Sequence, residues 1–400
     1  MDDLLCLPLY NRYKVPVFLM GILLAFGEEI NNYIPYMSQA YVIIGGCLVI
    51  AVFISEFVFR ARNVLKYYSG INVSWLLLMA YLLPLIAARF MLGEKAEEGQ
   101  RTLDFFRIII FMMIGYALFA ILKEDVRLQS VLVKGFVLGF FLAIPIGSFK
   151  NYDGAMRFLG TYQNPNIFAI DCCVVIFCLF FLISSKRFTK LYTVLLFVAC
   201  FVLILTGTRG ALLGVLIPVF LYFWKNVRVE YKFLLPILAV LLGAIVLIYV
   251  KVQDSSLLDR FISGGQKGTS GAADLRLTIW GKYLLNIKRY FWFGMPSSEF
   301  DLVYKKSPHN TYLGMFVRYG IFAFILYMRI VIPMLIRAVK YIFDEDETGY
   351  SKALACMFLA VNIAGFFTEN ELYRTTYAIW ALFLAKDYYN DKFVIGLEKE

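Results

Sequence analysis

Three arginines and the chain's single histidine are the residues whose type and placement could do chemistry. Arg157 lies in NYDGAMRFLGTYQNPN (Asn151–Asn166), Arg209 in TGTRG (Thr206–Gly210), Arg276 in DLRLTIWGKYLLNIKRY (Asp274–Tyr290) and His309 in SPHNTYL. A guanidinium is a planar, permanently charged fork that suits phosphate oxygens. An imidazole titrates near neutral pH and can take a proton from a hydroxyl. Together these groups suit holding a diphosphate while an acceptor hydroxyl is activated. Arg209 is the best placed of the three, because the glycines of its turn let the backbone approach a ligand closely. His309 precedes Asn310 at the start of a helix, whose N-terminus favours negative charge. The plainer alternatives are arginines that snorkel to lipid headgroups and a histidine that is only a polar surface residue.

These residues must be positioned by membrane-embedded helices. Of 400 residues, 61% are hydrophobic and 17% charged, against about 45–50% and about 25% in soluble domains. A span needs about 20 apolar residues, and twelve apolar segments can be marked. They run near 15–35, 40–59, 73–91, 105–122, 130–148, 166–185, 191–206, 210–224, 233–250, 311–336, 351–367 and 374–386. The expected fold is an all-α polytopic membrane protein of about twelve spans. Residues 1–250 would hold helices one to nine, 251–309 one large extracytoplasmic loop, and 310–400 helices ten to twelve with a cytoplasmic C-terminus. The seventh and eighth segments are short enough to form one re-entrant element. Absence of an internal repeat weighs against an inverted-repeat transporter.

Positive charge sets the orientation. With the N-terminus inside, Arg60, Arg62, Lys66, Lys123, Arg127, Lys186, Arg187, Lys190, Lys225, Arg228, Lys232, Arg337 and Lys340 all fall on the cytoplasmic side. Both termini are then cytoplasmic, and Arg157, Arg209, the 251–309 loop and FTENELYR (Phe367–Arg374) face outward. The net charge of +10 is accounted for by this asymmetry and does not call for nucleic acid. The run Val15–Phe26 after Arg12 and Lys14 resembles a signal peptide but lacks a clear cleavage site, so a retained anchor is expected.

Within the loop, GGQKGTSG (Gly264–Gly271) is flexible by composition. The segment at about 274–290 reads as an amphipathic helix with Leu277, Trp280 and Leu284 on one face and Lys288 and Arg289 on its flank. Arginines at bilayer depth are costly unless paired or solvated, so such residues tend to be functional. The cysteines show no metal spacing, and the loop contains neither a DxD-like site nor clustered carboxylates. Asp259 with Arg260 and Asp274 with Arg276 read as structural pairs.

These stretches resemble the O-antigen ligase and polymerase family of bacterial envelope proteins (the Wzy and WaaL type). The similar segments are RFLGTYQNPN at Arg157–Asn166, TGTRGALLG at Thr206–Gly214, LRLTIWGKYLLNIKRYFWFGMP at Leu275–Pro296 and PHNTYLGMFVRYGIFAF at Pro308–Phe324. They cover roughly 157–325 in the family's order. The resemblance implies a multi-pass GT-C glycosyltransferase of the bacterial inner membrane, acting in lipopolysaccharide, capsule or exopolysaccharide synthesis. It would transfer a glycan from undecaprenyl diphosphate to an acceptor sugar hydroxyl, with no cofactor, metal or nucleotide sugar. Carried over by position, Arg209 and Arg276 hold the diphosphate with help from Arg157, and His309 activates the acceptor. Asn310, Trp280 and Glu369 are the supporting candidates. FTENELY and the NPN loop lean towards a polymerase, which joins lipid-linked repeats; the alternative is a ligase that uses lipid A–core. A chain-length regulator or flippase is a possible partner.

Two readings from other classes remain. A flippase or transporter would line a path with mid-span charges, yet only Lys134, Asp171 and Glu56 are candidates. A scaffold would use the 18% aromatic content for protein contacts and leave the outward arginines and His309 without a task. Asp171 and Asn362 read as buried packing groups rather than cavity residues.

Overall fold

A computed structural model describes residues 9–54, 70–91, 106–152, 155–184, 188–226, 272–295 and 308–397. The helices are α1 (Leu9–Leu24), α2 (Met37–Phe53), α3 (Gly70–Met91), α4 (Arg107–Leu122) and α5 (Val126–Ala143). A β-hairpin follows, β1 (Phe149–Tyr152) and β2 (Ala155–Phe158), then α6 (Pro165–Ser184), α7 (Thr189–Leu205) and α8 (Arg209–Asn226). The loop contributes α9 (Ala272–Leu285) and the short α10 (Ile287–Tyr290), and the chain ends in α11 (Thr311–Phe343), α12 (Gly349–Gly365) and α13 (Arg374–Leu397). By length and apolar composition, α3, α5, α6 and α11 can each cross a membrane, and several shorter helices are equally apolar. The chain is a mostly helical membrane protein.

Helix packing follows from small residues and from apolar faces all round. Gly135 and Gly139 lie one turn apart on α5, and a Cβ on either would sit 2.3 Å from a carbonyl oxygen of α1 (Phe18 and Ile22). Such small-residue contacts let helix backbones touch where lipid supplies no hydrophobic drive. The most enclosed helices are α6 and α12, which are buried on nearly every side and pack on each other. Around them lie α7 on α6, α8 and α11 on α12, and α13 on α4. Edge-to-face contacts join Trp75 of α3 to Trp380 of α13 (5.5 Å between centroids), with Tyr327 of α11 against Trp380. This aromatic centre ties three otherwise distant segments together.

Several sequence boundaries need correction. The first helix spans Leu9–Leu24 and takes in Arg12 and Lys14, where an apolar run over 15–35 was expected. Its early end coincides with a short 3-10 turn at Glu28–Asn32. The all-α expectation misses the hairpin, in which Phe149 pairs with Phe158 and Lys150 with Arg157. The seventh and eighth segments are two helices, α7 and α8, joined by the tight turn at Thr206–Thr208. The amphipathic segment breaks at Asn286, between α9 and α10. Ile279 and Tyr283 are buried against Phe316 and Val317 of α11, while Leu277 and Leu284 are exposed. Four-residue spacing on α9 selects one stripe for the protein, and exposed leucines beside Lys282, Lys288 and Arg289 occupy the other. The ninth segment (233–250), residues 251–271, the Asp259–Arg260 pair and the side chain of Asp274 lie outside the described residues.

Candidate functional site

One end of the bundle gathers the loops named by sequence, and the connection from α12 to α13 is where they meet. The start of α11 is stitched to it. Asn310 caps the helix by accepting from Leu313 N–H at 2.9 Å, and its Nδ2 donates to Phe366 O. Asn is favoured at this position because it satisfies amides that the helix leaves free. Thr311 Oγ1 donates to Thr368 O at 3.0 Å and accepts from Asn370 N–H at 2.7 Å. His309 sits just before the cap with a left-handed backbone, φ 48°. Its backbone N–H donates to Glu369 Oε1 at 3.0 Å, so the left-handed backbone at this position is held by a carboxylate.

The Thr206–Gly210 turn meets the same connection. A Cβ on Gly210 would lie 2.6 Å from Phe367 Cβ, so only glycine allows this approach. Arg209 is the first residue of α8, and its side chain is exposed. Arg157 is buried at 1% exposure. It donates from Nε to Thr206 O (2.5 Å) and from Nη2 to Asn166 Oδ1 (2.9 Å) and Thr208 Oγ1 (2.8 Å). The structure thus turns Arg157 inwards, where it braces the turn that presents Arg209.

Arg276 arrives from the loop. Its guanidinium lies over the Phe367 ring, 5.7 Å from the centroid, a cation–π placement. Trp280, one turn later, donates from Nε1 to Pro308 O at 2.8 Å, which ties α9 to the residue preceding His309. Phe367 is therefore flanked by the Arg209 turn and by Arg276, and Glu369 two residues on holds His309. The chain brings its three leading candidates to one connection.

Beneath lies a charge cluster. Arg318 of α11 donates to Glu369 Oε2 (2.7 Å) and to Glu371 Oε1 (2.5 Å). Burial pushes the Glu371 carboxyl up to about 8, against the pull of Arg318. Burial also acts on Glu369, but Arg318 and the neighbouring His309 outweigh it and hold that carboxyl below its ordinary range. One guanidinium serves two buried carboxyl groups, so their titrations are linked: burial favours a proton on the pair and Arg318 opposes it. Asp171 is separate: it is buried and accepts from Tyr162 Oη (2.5 Å) and Thr375 Oγ1 (2.9 Å), a packing role. Asn362 is likewise enclosed, donating to Phe358 O and accepting from Tyr312 Oη.

Sequence reasoning missed Phe367 as a platform, and Arg318 and Glu371 as partners. The signal was weak but present: FTENE puts an aromatic and two acids in one short connection, and Gly314 precedes Arg318 by one turn. A Cβ on Gly314 would lie 2.5 Å from Glu371 Oε1.

Residues 193–328 match the family described as O-antigen ligase, a span that includes Arg209, Arg276, His309 and Arg318. The match supports assignment of this chain to the O-antigen ligase/polymerase family. Members of that family are glycosyltransferase-like enzymes whose substrates are, in general, a lipid-linked glycan and an acceptor. A comparison with curated proteins gave no match.

Proposed function

We propose that this O-antigen ligase/polymerase family protein transfers a glycan from undecaprenyl diphosphate to an acceptor sugar hydroxyl at the outer face of the bacterial inner membrane. The observation that carries the reading is the convergence on one connection of an exposed Arg209 at a helix start, Arg276 over Phe367 and His309 fixed by Glu369. Arg209 and Arg276 would hold the diphosphate oxygens, with the free amides at the start of α8 adding partial positive charge. Arg157 serves by bracing the Arg209 turn. The acceptor oxygen attacks the anomeric carbon, and the bond from that carbon to the phosphate oxygen breaks. Undecaprenyl diphosphate leaves with the electron pair, and the hydroxyl proton passes to His309. The two cations stabilise charge as it grows on the leaving group, the kind of preorganised contribution that dominates many enzymes. No step needs a nucleotide sugar or a metal.

Both termini would be cytoplasmic and the 251–309 loop external, which agrees with the segregation of Lys123, Arg127, Arg337 and Lys340 from the site end. The preferred acceptor is a second lipid-linked repeat, a polymerase reaction, carried over from FTENELY and the Asn164–Pro165–Asn166 loop. Purified protein given undecaprenyl-diphosphate oligosaccharide alone should yield a ladder of products. A single shifted product that requires lipid A–core would make it a ligase. No transfer under either condition by folded protein would overturn the reading.

A further inference from the structure

Helix α11 is opened two residues after Arg318. Gly320 has φ 82° and ψ −177°, outside any helical conformation. In an unbroken helix Ile321 N–H would donate to Val317 O. Here both groups are taken by the loop: Ile321 N–H donates to Phe291 O (2.8 Å), and Met295 N–H donates to Val317 O (2.7 Å). The carbonyls of Arg318 and Tyr319, freed by the same kink, accept from Arg89 Nη1 (2.9 Å) and Tyr81 Oη (3.1 Å) of α3. Arg89 Nη2 also reaches Phe293 O at 2.5 Å, binding loop and helix at once.

The close approach is possible only with two glycines. A Cβ on Gly294 would lie 2.2 Å from the Arg318 carbonyl, and one on Gly320 would lie 2.1 Å from Trp292 O. Both have positive φ, which other residues rarely adopt. The loop is therefore inserted into the opened turn rather than resting on it. Tyr283, Tyr290 and Met295 then bury against Phe316 and Val317 on the adjoining turn.

Arg318 stands where this insertion meets the site. Its side chain reaches Glu369 and Glu371 in the connection that holds His309. Its backbone lies in the opened turn, against the segment that continues from the Arg276 helix. We infer that Arg318 is a positioning residue for glycan transfer, joining the connection that fixes His309 to the loop that carries Arg276. The inference rests on the proposed transfer reaction. Charge alone does not suffice for this role, because reaching two carboxyl groups from two separate nitrogens suits the planar guanidinium fork better than a single ammonium nitrogen.

The test uses full-length protein in nanodiscs, with undecaprenyl-diphosphate oligosaccharide as donor. Arg318→Lys and Glu369→Gln are compared with wild type for kcat, donor KM and amide hydrogen exchange. Both variants should lower kcat by about 10- to 100-fold, with donor KM within about twofold, the scale expected for misplaced catalytic groups. The double variant should be little worse than either alone. Exchange should rise about tenfold in peptides covering 291–295 and 308–313 and stay unchanged in α1 and α5. Full activity in Arg318→Lys, or unchanged exchange in both peptides, would overturn the joint. If Arg318→Lys fails to accumulate, Glu369→Gln carries the same comparison. Absence of transfer by wild type would defeat the reaction reading, while the exchange data would still decide the joint.

Discussion

The two ends of this bundle solve the same problem differently. At the end away from His309, polar groups close the helices and go no further. Asp125 caps α5 and pairs with Arg127, Thr348 caps α12, Tyr350 Oη donates to Gln129 Oε1, and Lys386 pairs with Glu347 at 3.0 Å. These contacts join neighbouring helices in pairs, with Arg127 also over the Tyr10 ring and Lys386 over the Tyr341 ring. At the His309 end, the ends of α7 and α12 and the starts of α6, α8, α11 and α13 are linked through the α12–α13 connection and the Arg157 bonds. Cations there are divided into those buried in structure (Arg157, Arg318), the half-buried Arg276 over Phe367, and the exposed Arg209. The lesson is that total charge does not locate a site. What marks it is buried cations that brace the turn and the connection where Arg209 and Arg276 meet.

That contrast can be broken by substitution, and the largest effect should come from His309. His309→Ala should lower kcat about 100- to 10,000-fold, the range for removing a positioned acid–base group, with membrane abundance and melting temperature unchanged. Loss of both activity and abundance would recast it as structural. Arg209→Ala should cost about 100- to 1,000-fold in kcat/KM if it stabilises the leaving diphosphate, again without loss of folded protein. Arg157→Ala should behave differently, because it strips donors from Thr206 O, Asn166 and Thr208. A stability loss of about 1–3 kcal/mol per group left unsatisfied is expected, read as a fall in melting temperature accompanying lost transfer. Asp171→Asn should cost about 1–3 kcal/mol in stability by removing one of two acceptors, while kcat per folded molecule stays at the wild-type value.

The smallest effect concerns pH. Glu371 is raised to about 8 by burial, against an ordinary value of 4.5. A carboxyl raised in the folded state binds more protons folded than unfolded, so stability should fall as pH rises from about 4.5 through 8. The groups facing it are Arg318, Glu369 and Thr311. Melting temperature measured from pH 6 to 9 should decline in wild type, and the decline should flatten in Glu371→Gln. A decline of equal slope in both proteins would assign the effect to other groups.

Much of the site was legible because its residues carry rare chemistry. Arg209 between glycines, Arg276 before Trp280, and a lone histidine before an N-cap Asn are conspicuous in a chain with few charges. Their convergence on Phe366–Glu371 was not legible, since it depends on which helix ends abut. The inward turn of Arg157 was hidden for a related reason: sequence shows that an arginine is near a turn, not which carbonyls the turn leaves open. The hairpin at Phe149–Phe158 was not legible, because Asn151–Asn166 reads as a turn-rich connection and its strands are only four residues each. On α9, the stripe that meets the protein is Ile279 and Tyr283, which the sequence does not separate from Leu277 and Leu284 because both lipid and protein accept apolar side chains. The α11 kink is written only as Gly320, and a single glycine inside an apolar helix usually signals close packing rather than a break.

The most direct measurement of the central claim is a double-mutant cycle on donor binding. Undecaprenyl-diphosphate oligosaccharide would be titrated into wild type, Arg209→Ala, Arg276→Ala and the double variant. If both guanidiniums hold one diphosphate, the losses should be coupled by about 0.5–3 kcal/mol, the range for groups sharing a partner. Losses that simply add, or an unchanged Kd in either single variant, would contradict a shared diphosphate site.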